Sequence, residues 1–525
     1  HVHDDHGGRL GIEAHSSSSA ARPKAVGLAS AGRPFSMATP ESDMRRGLLV
    51  VAVVAIAFTA GCVSAPQPGP AEELSAPDPT PTGDPPPDPE TDRLGWEDGY
   101  WHNETLSVDP SDGLNESELA AVVARGKARV EAIRGLEFEE PVPVEIIDRE
   151  TFRDRTTSRS DPTDAQRLHQ DVKFEALFLM GEGEDAVTQQ SKNTAENVQG
   201  YYEPDNHSIT IVSESGAPLY MNEVTLAQEL FHAVQEESFE VSERRPDTEE
   251  AHNAYMGIVE GDGNYVDYLY ENRYEADLVR PPSVDGGGGG GGSTNVGMLA
   301  LRLQPYSDGP PFVDGIREEA GWEGVNAVYD SPPASTEQTI HPGKYPDEEP
   351  EPVTIVDRSS EEWTIPDQGG GVNYASFGEA GLYVMLWYPS HLEAQSSQGS
   401  PEVIIPYDHF YRTEESIDLY NYSHPISSGW AGDRLYPYVR NDSAETGETG
   451  YVWRIRWDSA ADAEQFRSAY LDLLEYHGAT SVNEQSYRIE DGAFEDAFRV
   501  DRSGETVTIV NAPTVDDIED VRPID

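Results

Sequence analysis

One helix-length stretch constrains this chain more than any other: Asn222-Glu223-Val224-Thr225-Leu226-Ala227-Gln228-Glu229-Leu230-Phe231-His232-Ala233-Val234-Gln235. Gln228 and His232 are four residues apart, so they share a helix face, with Glu229 beside them. Leu226, Leu230 and Val234 make an adjacent apolar side. Burying that side carries an amide, a carboxylate and an imidazole toward the interior. A buried carboxylate without a charge partner is costly, so Glu229 beside His232 means that the site either keeps a cation or protonates. The next helical stretch carries Gly257-Ile258-Val259-Glu260-Gly261-Asp262-Gly263-Asn264, where Glu260 can meet His232 across the helix pair. Upstream, Gly200-Tyr201-Tyr202-Glu203-Pro204-Asp205-Asn206 predicts a turn into a short strand over 208–212. The order strand, helix, loop, helix gives an α+β fold class.

Further elements follow from caps and periodicity. Asn115 predicts an N-cap for an amphipathic helix to about Arg134. Residues 142–147 read as a strand, 149 onward and 161–180 as helix, then 222–238 and 248–273 as the helix pair. Gly286 to Gly292 is an unbroken glycine run that predicts a flexible break between lobes. The expected organisation is an N-lobe over 94–285, a glycine linker over 286–293, and a mainly helical second lobe over 294–445. A small C-terminal α+β module occupies 446–525, with a strand at 451–457, a helix at 459–476 and two or three strands to 511.

Charge narrows the function classes. The 525 residues carry 36 Lys+Arg against 97 Asp+Glu, a formal net charge of −61. Such a field repels phosphate and excludes a basic nucleic-acid binder. Only five of the basic residues are lysine, and the carboxylates run along the whole chain. Molar salt shortens the Debye length to ~3 Å and screens such a surface. The composition resembles that of extremely halophilic organisms. Cys62 is the single cysteine, which excludes a disulfide framework and a cysteine-based zinc site. There is no Gly-x-Ser-x-Gly elbow and no Walker A loop.

The N-terminal stretch reads as an address. Met44-Arg45-Arg46 precedes an uncharged apolar run over 47–60, the layout of a signal peptide spanning 44–61. Arg45-Arg46 resembles a twin-arginine export signal, and Thr59-Ala60-Gly61-Cys62 resembles a lipoprotein cleavage box with Cys62 as the lipidated residue. Residues 1–43 are expected to be an upstream extension. Residues 62–93 form a tether; Val63 to Asp92 holds ten prolines and seven carboxylates and cannot bury a core. These features predict an exported protein held at the cell surface through a lipid on Cys62. Five Asn-x-Ser/Thr sequons, at Asn103, Asn115, Asn206, Asn421 and Asn441, are compatible with export.

Taken together, Gly200-Tyr201-Tyr202-Glu203-Pro204, Phe231-His232-Ala233-Val234-Gln235 and Val259-Glu260-Gly261-Asp262 resemble the gluzincin metallopeptidases. Segments around Ser335-Thr336-Glu337-Gln338, His341-Pro342-Gly343-Lys344-Tyr345, Gly429-Trp430-Ala431-Gly432-Asp433-Arg434 and 453–466 resemble the same family. With the lipobox and the acidity, the chain resembles a surface lipoprotein family of halophilic archaea over roughly 95–510. The resemblance implies a zincin-like domain, an edge strand plus an active-site helix pair. It implies zinc as the cofactor, His232 and Glu260 as ligands and Glu229 as the catalytic base. The family's first histidine is Gln228 here, whose neutral amide is a poorer zinc ligand than imidazole. His207, on the neighbouring strand, is the conceivable stand-in. The implied role is therefore non-catalytic binding or scaffolding toward a cell-envelope or secreted protein or peptide. The alternative is an active zinc endopeptidase acting on surface or secreted proteins. His341 and Trp430, in Pro- and Gly-rich loops, read as loop-fixing residues.

Overall fold

The computed structural model describes residues 51–54, 85–157, 162–213, 218, 220–280, 294–396, 401–412, 417–441 and 448–522. After β1 (Val51–Val54) come the two-stranded ribbon of β2 (Trp96–Glu97) and β3 (Tyr100–Trp101), and then α1 (Glu116–Arg134). Asn115 caps α1 as its sequence predicts. Its side chain accepts the Ser117 and Glu118 N–H groups, and Glu118 reaches back to the Asn115 N–H. Next are β4 (Val144–Asp148), α2 (Arg149–Thr157), α3 (Asp164–Ala176) and α4 (Ala186–Asn197). Periodicity missed α4 because only Ala186 and Asn193 of it are buried. The hairpin of β5 (Val198–Glu203) and β6 (Ser208–Ser213) follows. Gly200 to Glu203, expected in a turn, are strand; the turn is 204–207.

These strands make a sheet of order β1-β5-β6-β4, with β4 parallel to β6 and β5 antiparallel to it. β1 pairs antiparallel with the outer edge of β5, Val51 opposite Tyr202 and Val54 opposite Val198. Part of the expected signal segment thus lies on the sheet as a strand. Cys62, most of the tether and the glycine linker lie outside the described residues. No helix of the described residues is long and apolar enough to cross a membrane.

α5 (Glu223–Phe239) packs against this sheet, α6 (Glu249–Tyr274) packs on α5, and α7 (Val296–Asp330) packs along α6. Leu226, Leu230 and Val234 join Ile209, Ile211, Ile258 and Val259 in one apolar core. α7 carries Pro305, Pro310 and Pro311 and is interrupted at Gly321, which has φ +67. Pro305 cannot give the N–H that the Leu301 carbonyl would receive four residues back. The Asn253 side-chain amide on α6 donates to that carbonyl instead, at 3.2 Å. Three glycines let α6 approach its neighbours: Gly257 faces Thr339, Gly261 faces Gly309, and Gly263 faces His232.

The remaining elements are α8 (Thr336–Ile340), β7 (Trp363–Thr364), α9 (Gly378–Ser396), β8 (Trp430–Arg440), β9 (Thr449–Trp457), α10 (Ala460–Tyr476), β10 (Thr480–Ser481), β11 (Ser486–Arg488), β12 (Ala497–Ser503), β13 (Thr506–Ala512) and α11 (Asp517–Val521). Their strands form a second, antiparallel sheet of order β10-β11-β12-β13-β9-β8-β7. β7 and β8 precede residue 446, so the expected boundary at 445/446 falls within this sheet. Its core also takes in Val172 and Phe174 of α3 and Met385 and Trp387 of α9. Asp433 joins sheet to helix. Its carboxylate accepts the Phe377 and Gly378 N–H groups at the start of α9, the Ser376 hydroxyl, and the indole N–H groups of Trp430 and Trp453. The Gly429–Arg434 motif is therefore a structural junction. The chain is a mixed α+β protein with a C-terminal sheet.

Candidate functional site

Two glycines make room for three of the site's four buried side chains. On β5, a Cβ at Gly200 would lie 3.0 Å from Glu229 Oε1 and 3.2 Å from its Cγ. On α6, a Cβ at Gly263 would lie 3.0 Å from His232 Cε1, 3.4 Å from its Nε2 and 3.7 Å from Gln228 Cγ. Any larger residue at either place would press on the site. Gln228, Glu229, His232 and Glu260 are 1%, 0%, 2% and 2% exposed, so all four are sealed from solvent.

The helix pair brings His232 and Glu260 together. His232 Nε2 lies 3.5 Å from Glu260 Oε2. The other oxygen, Oε1, accepts the Tyr306 hydroxyl at 2.7 Å. Burial, and then the Glu260 charge, push the Tyr306 phenol well above its ordinary value, so it stays a donor. His232 Nε2, Glu260 Oε2 and Gln228 Nε2 are buried without a hydrogen-bond partner. Behind the ring, His232 Nδ1 lies 2.9 Å from Gln235 Oε1. The Gln235 amide donates to Val259 O at 3.0 Å and to the Tyr329 hydroxyl at 2.6 Å. Tyr329 donates to Asp262 Oδ2 at 2.8 Å, and the Arg134 guanidinium grips both Asp262 oxygens. His207 is engaged elsewhere, with Tyr202 through Nδ1 and Glu237 through Nε2.

Zinc ligand distances of ~2.0–2.2 Å place two ligand atoms of a tetrahedral site ~3.4 Å apart. The orphaned His232 and Glu260 atoms, 3.5 Å apart, match that spacing. Gln228, one turn before His232 on α5, is buried nearby with its amide nitrogen unpartnered. Among the described residues, the groups of three His, Cys, Asp or Glu ligands close enough to share an ion are elsewhere: Glu175, Glu182 and Asp496, and Glu337, Glu348 and Asp458. Lys344 fills the second of these, with Nζ 2.6 Å from both Glu337 and Glu348. His232 and Glu260 thus fit a cation between them. The set as a whole does not fit a catalytic zinc, which takes three good protein ligands and an open position.

Sequence spacing located Gln228, Glu229 and His232, and the following helix supplied Glu260. Neither marked Tyr306, Tyr329 or Arg134, whose roles depend on where α7 and α1 dock. Gln235 stands three residues after His232 on the same helix face, a signal that was legible but unused. The other motif residues are structural. Glu250 accepts the Thr336 N–H and hydroxyl at the start of α8, and His341 pairs with buried Glu379 at 3.0 Å.

Residues 364–522 match a family described as a domain of unknown function (DUF8575). The match covers α9 and nearly all of the second sheet but not α5 or α6, so it does not reach the site. No curated protein and no solved structure matches the chain.

Proposed function

We propose that the chain is an exported, lipid-anchored surface protein whose helix pair forms a degenerate gluzincin site. In this reading β5, α5 and α6 are the edge strand and helix pair of a zincin-like domain. The domain binds an extended segment of a cell-envelope or secreted protein without cleaving it. The observation that carries the reading is the ligand set itself. His232 and Glu260 converge at 3.5 Å, while the residue four before His232, where the family carries its first histidine, is Gln228, a neutral amide. The pairing of β1 with β5 supports a binding role, since that edge accepts an antiparallel strand. Removal of the leader at Cys62 would free the same edge.

The test is metal content and proteolysis of the purified chain in molar KCl. The expected result is no stoichiometric zinc and no cleavage of an unfolded protein substrate. Gln228→His restores two imidazoles at i and i+4, and zinc affinity should rise by more than ~100-fold. Tight zinc in the wild type, with cleavage that Glu229→Gln abolishes, would replace this reading with the active endopeptidase.

A further inference from the structure

We infer that Gln235 is a positioning residue that holds His232 as the Nδ1–H tautomer, so that Nε2 turns a lone pair toward Glu260. Every donor and acceptor in the chain behind His232 has a fixed sense. Arg134 can only donate, and it donates to Asp262 through Nε and Nη2. The Asp262 carboxylate is therefore an acceptor, and the Tyr329 hydroxyl spends its proton on it. The Tyr329 oxygen is left to accept, and Gln235 Nε2 supplies the N–H. A second N–H of the same amide goes to the Val259 carbonyl, which can only accept. Two acceptors thus fix which end of the Gln235 amide is nitrogen. Its oxygen faces His232 Nδ1 at 2.9 Å, and a carbonyl oxygen there requires an N–H on the ring.

The consequence is the chemistry of what the site takes. With its proton held at Nδ1, the single-proton ring has Nε2 as an acceptor, and Glu260 Oε2 is an acceptor 3.5 Å away. Tyr306, the donor in contact with Glu260, is spent on the other oxygen, Oε1. The pair therefore admits a cation or a donor group and rejects an acceptor such as a carbonyl oxygen. This rests on the functional reading only in taking His232 and Glu260 as the ligand-facing pair.

The test is ¹⁵N NMR of the full chain labelled with [¹⁵N]histidine, in molar KCl, stripped of metal by chelation. The spectrum is read at about pH 8.5, above the ordinary histidine value of ~6.5. His232 signals are assigned by their loss in His232→Gln. The wild type should show Nδ1 protonated and Nε2 bare, favoured about tenfold by one hydrogen bond. Gln235→Ala removes the acceptor, and the ring should shift substantially to the Nε2–H form, donating to Glu260. An Nε2–H or doubly protonated ring in the wild type overturns the inference, and so does an unchanged tautomer in Gln235→Ala. If Gln235→Ala does not fold, the wild-type spectrum alone decides. Tight zinc with cleavage would defeat the non-catalytic reading and leave this inference standing, so the two fail separately.

Discussion

Gly261→Ala should destabilise the chain, although alanine is the better helix former. Gly261 on α6 meets Gly309 on α7 backbone to backbone. A Cβ at 261 would lie 2.6 Å from the Gly309 carbonyl carbon and 2.7 Å from its Cα and O. Non-bonded carbons rest at ~3.5–4.0 Å, so the helices would have to part by ~1 Å. Overpacking costs ~1–3 kcal/mol, and main chain cannot rotate aside as a side chain can. Alanine returns ~1 kcal/mol of helix propensity. The net expectation is a loss of ~1–2 kcal/mol, at the high end of that overpacking range less the propensity gain. Gly315, on the same α7, is exposed, and its added Cβ would meet nothing within 4 Å. Gly315→Ala keeps only the gain and should stabilise by up to ~1 kcal/mol. Urea unfolding in molar KCl, with midpoints compared at a common m value, separates the two. A Gly261→Ala variant as stable as wild type would refute the claim that backbone contact sets the α6–α7 spacing.

Three further outcomes follow from the charges and junctions. Burial lifts the Glu250 and Asp496 carboxyls to about 8 and Glu131 to about 9. Each therefore holds a proton in the folded chain that the unfolded chain has released, so stability should fall as pH rises from 6 to 9, where ordinary carboxylates are already ionised. Glu250→Gln should flatten that slope, and stability rising over the window would contradict the assignment. With a formal charge of −61, the melting temperature should drop as KCl is lowered below molar, and a flat series would end the argument from salt screening. Asp433→Ala strands two buried indole N–H groups at ~1–3 kcal/mol each. Denaturant curves should show a loss above ~2 kcal/mol, and a smaller loss would mean that Asp433 is not the junction.

Elements whose signals are local were legible in the sequence. The Asn115 cap, the apolar stripe of α5 and the alternation of β9 each sit within a few residues of chain. α4 was hidden because its surface is mostly solvated and lacks a stripe. α7 was obscured by its three prolines, which normally end a helix. It persists past Pro305 because Asn253, 48 residues earlier, satisfies the Leu301 carbonyl. β7 and β8 were missed for a related reason, since each is a strand only by pairing with distant partners. In the site, Gln228 and His232 were legible as an i, i+4 pair. The cut-outs at Gly200 and Gly263 were not, because a glycine states only what is missing and not which neighbour uses the room.

The bonds behind His232 also say when the site can come into being. Arg134 to Asp262, Tyr329 to Asp262 and Gln235 to Tyr329 close separations of 128, 67 and 94 residues, while His232 to Gln235 spans three. Closing such long loops costs entropy before any bond forms, so contacts of this range are late events in folding. Helix α5 can form early on its own account, but its imidazole has no fixed orientation until α1, α6 and α7 have met. A chain whose synthesis has passed residue 262 but not 329 already holds the whole motif and still lacks the Tyr329 link that joins Gln235 to Asp262.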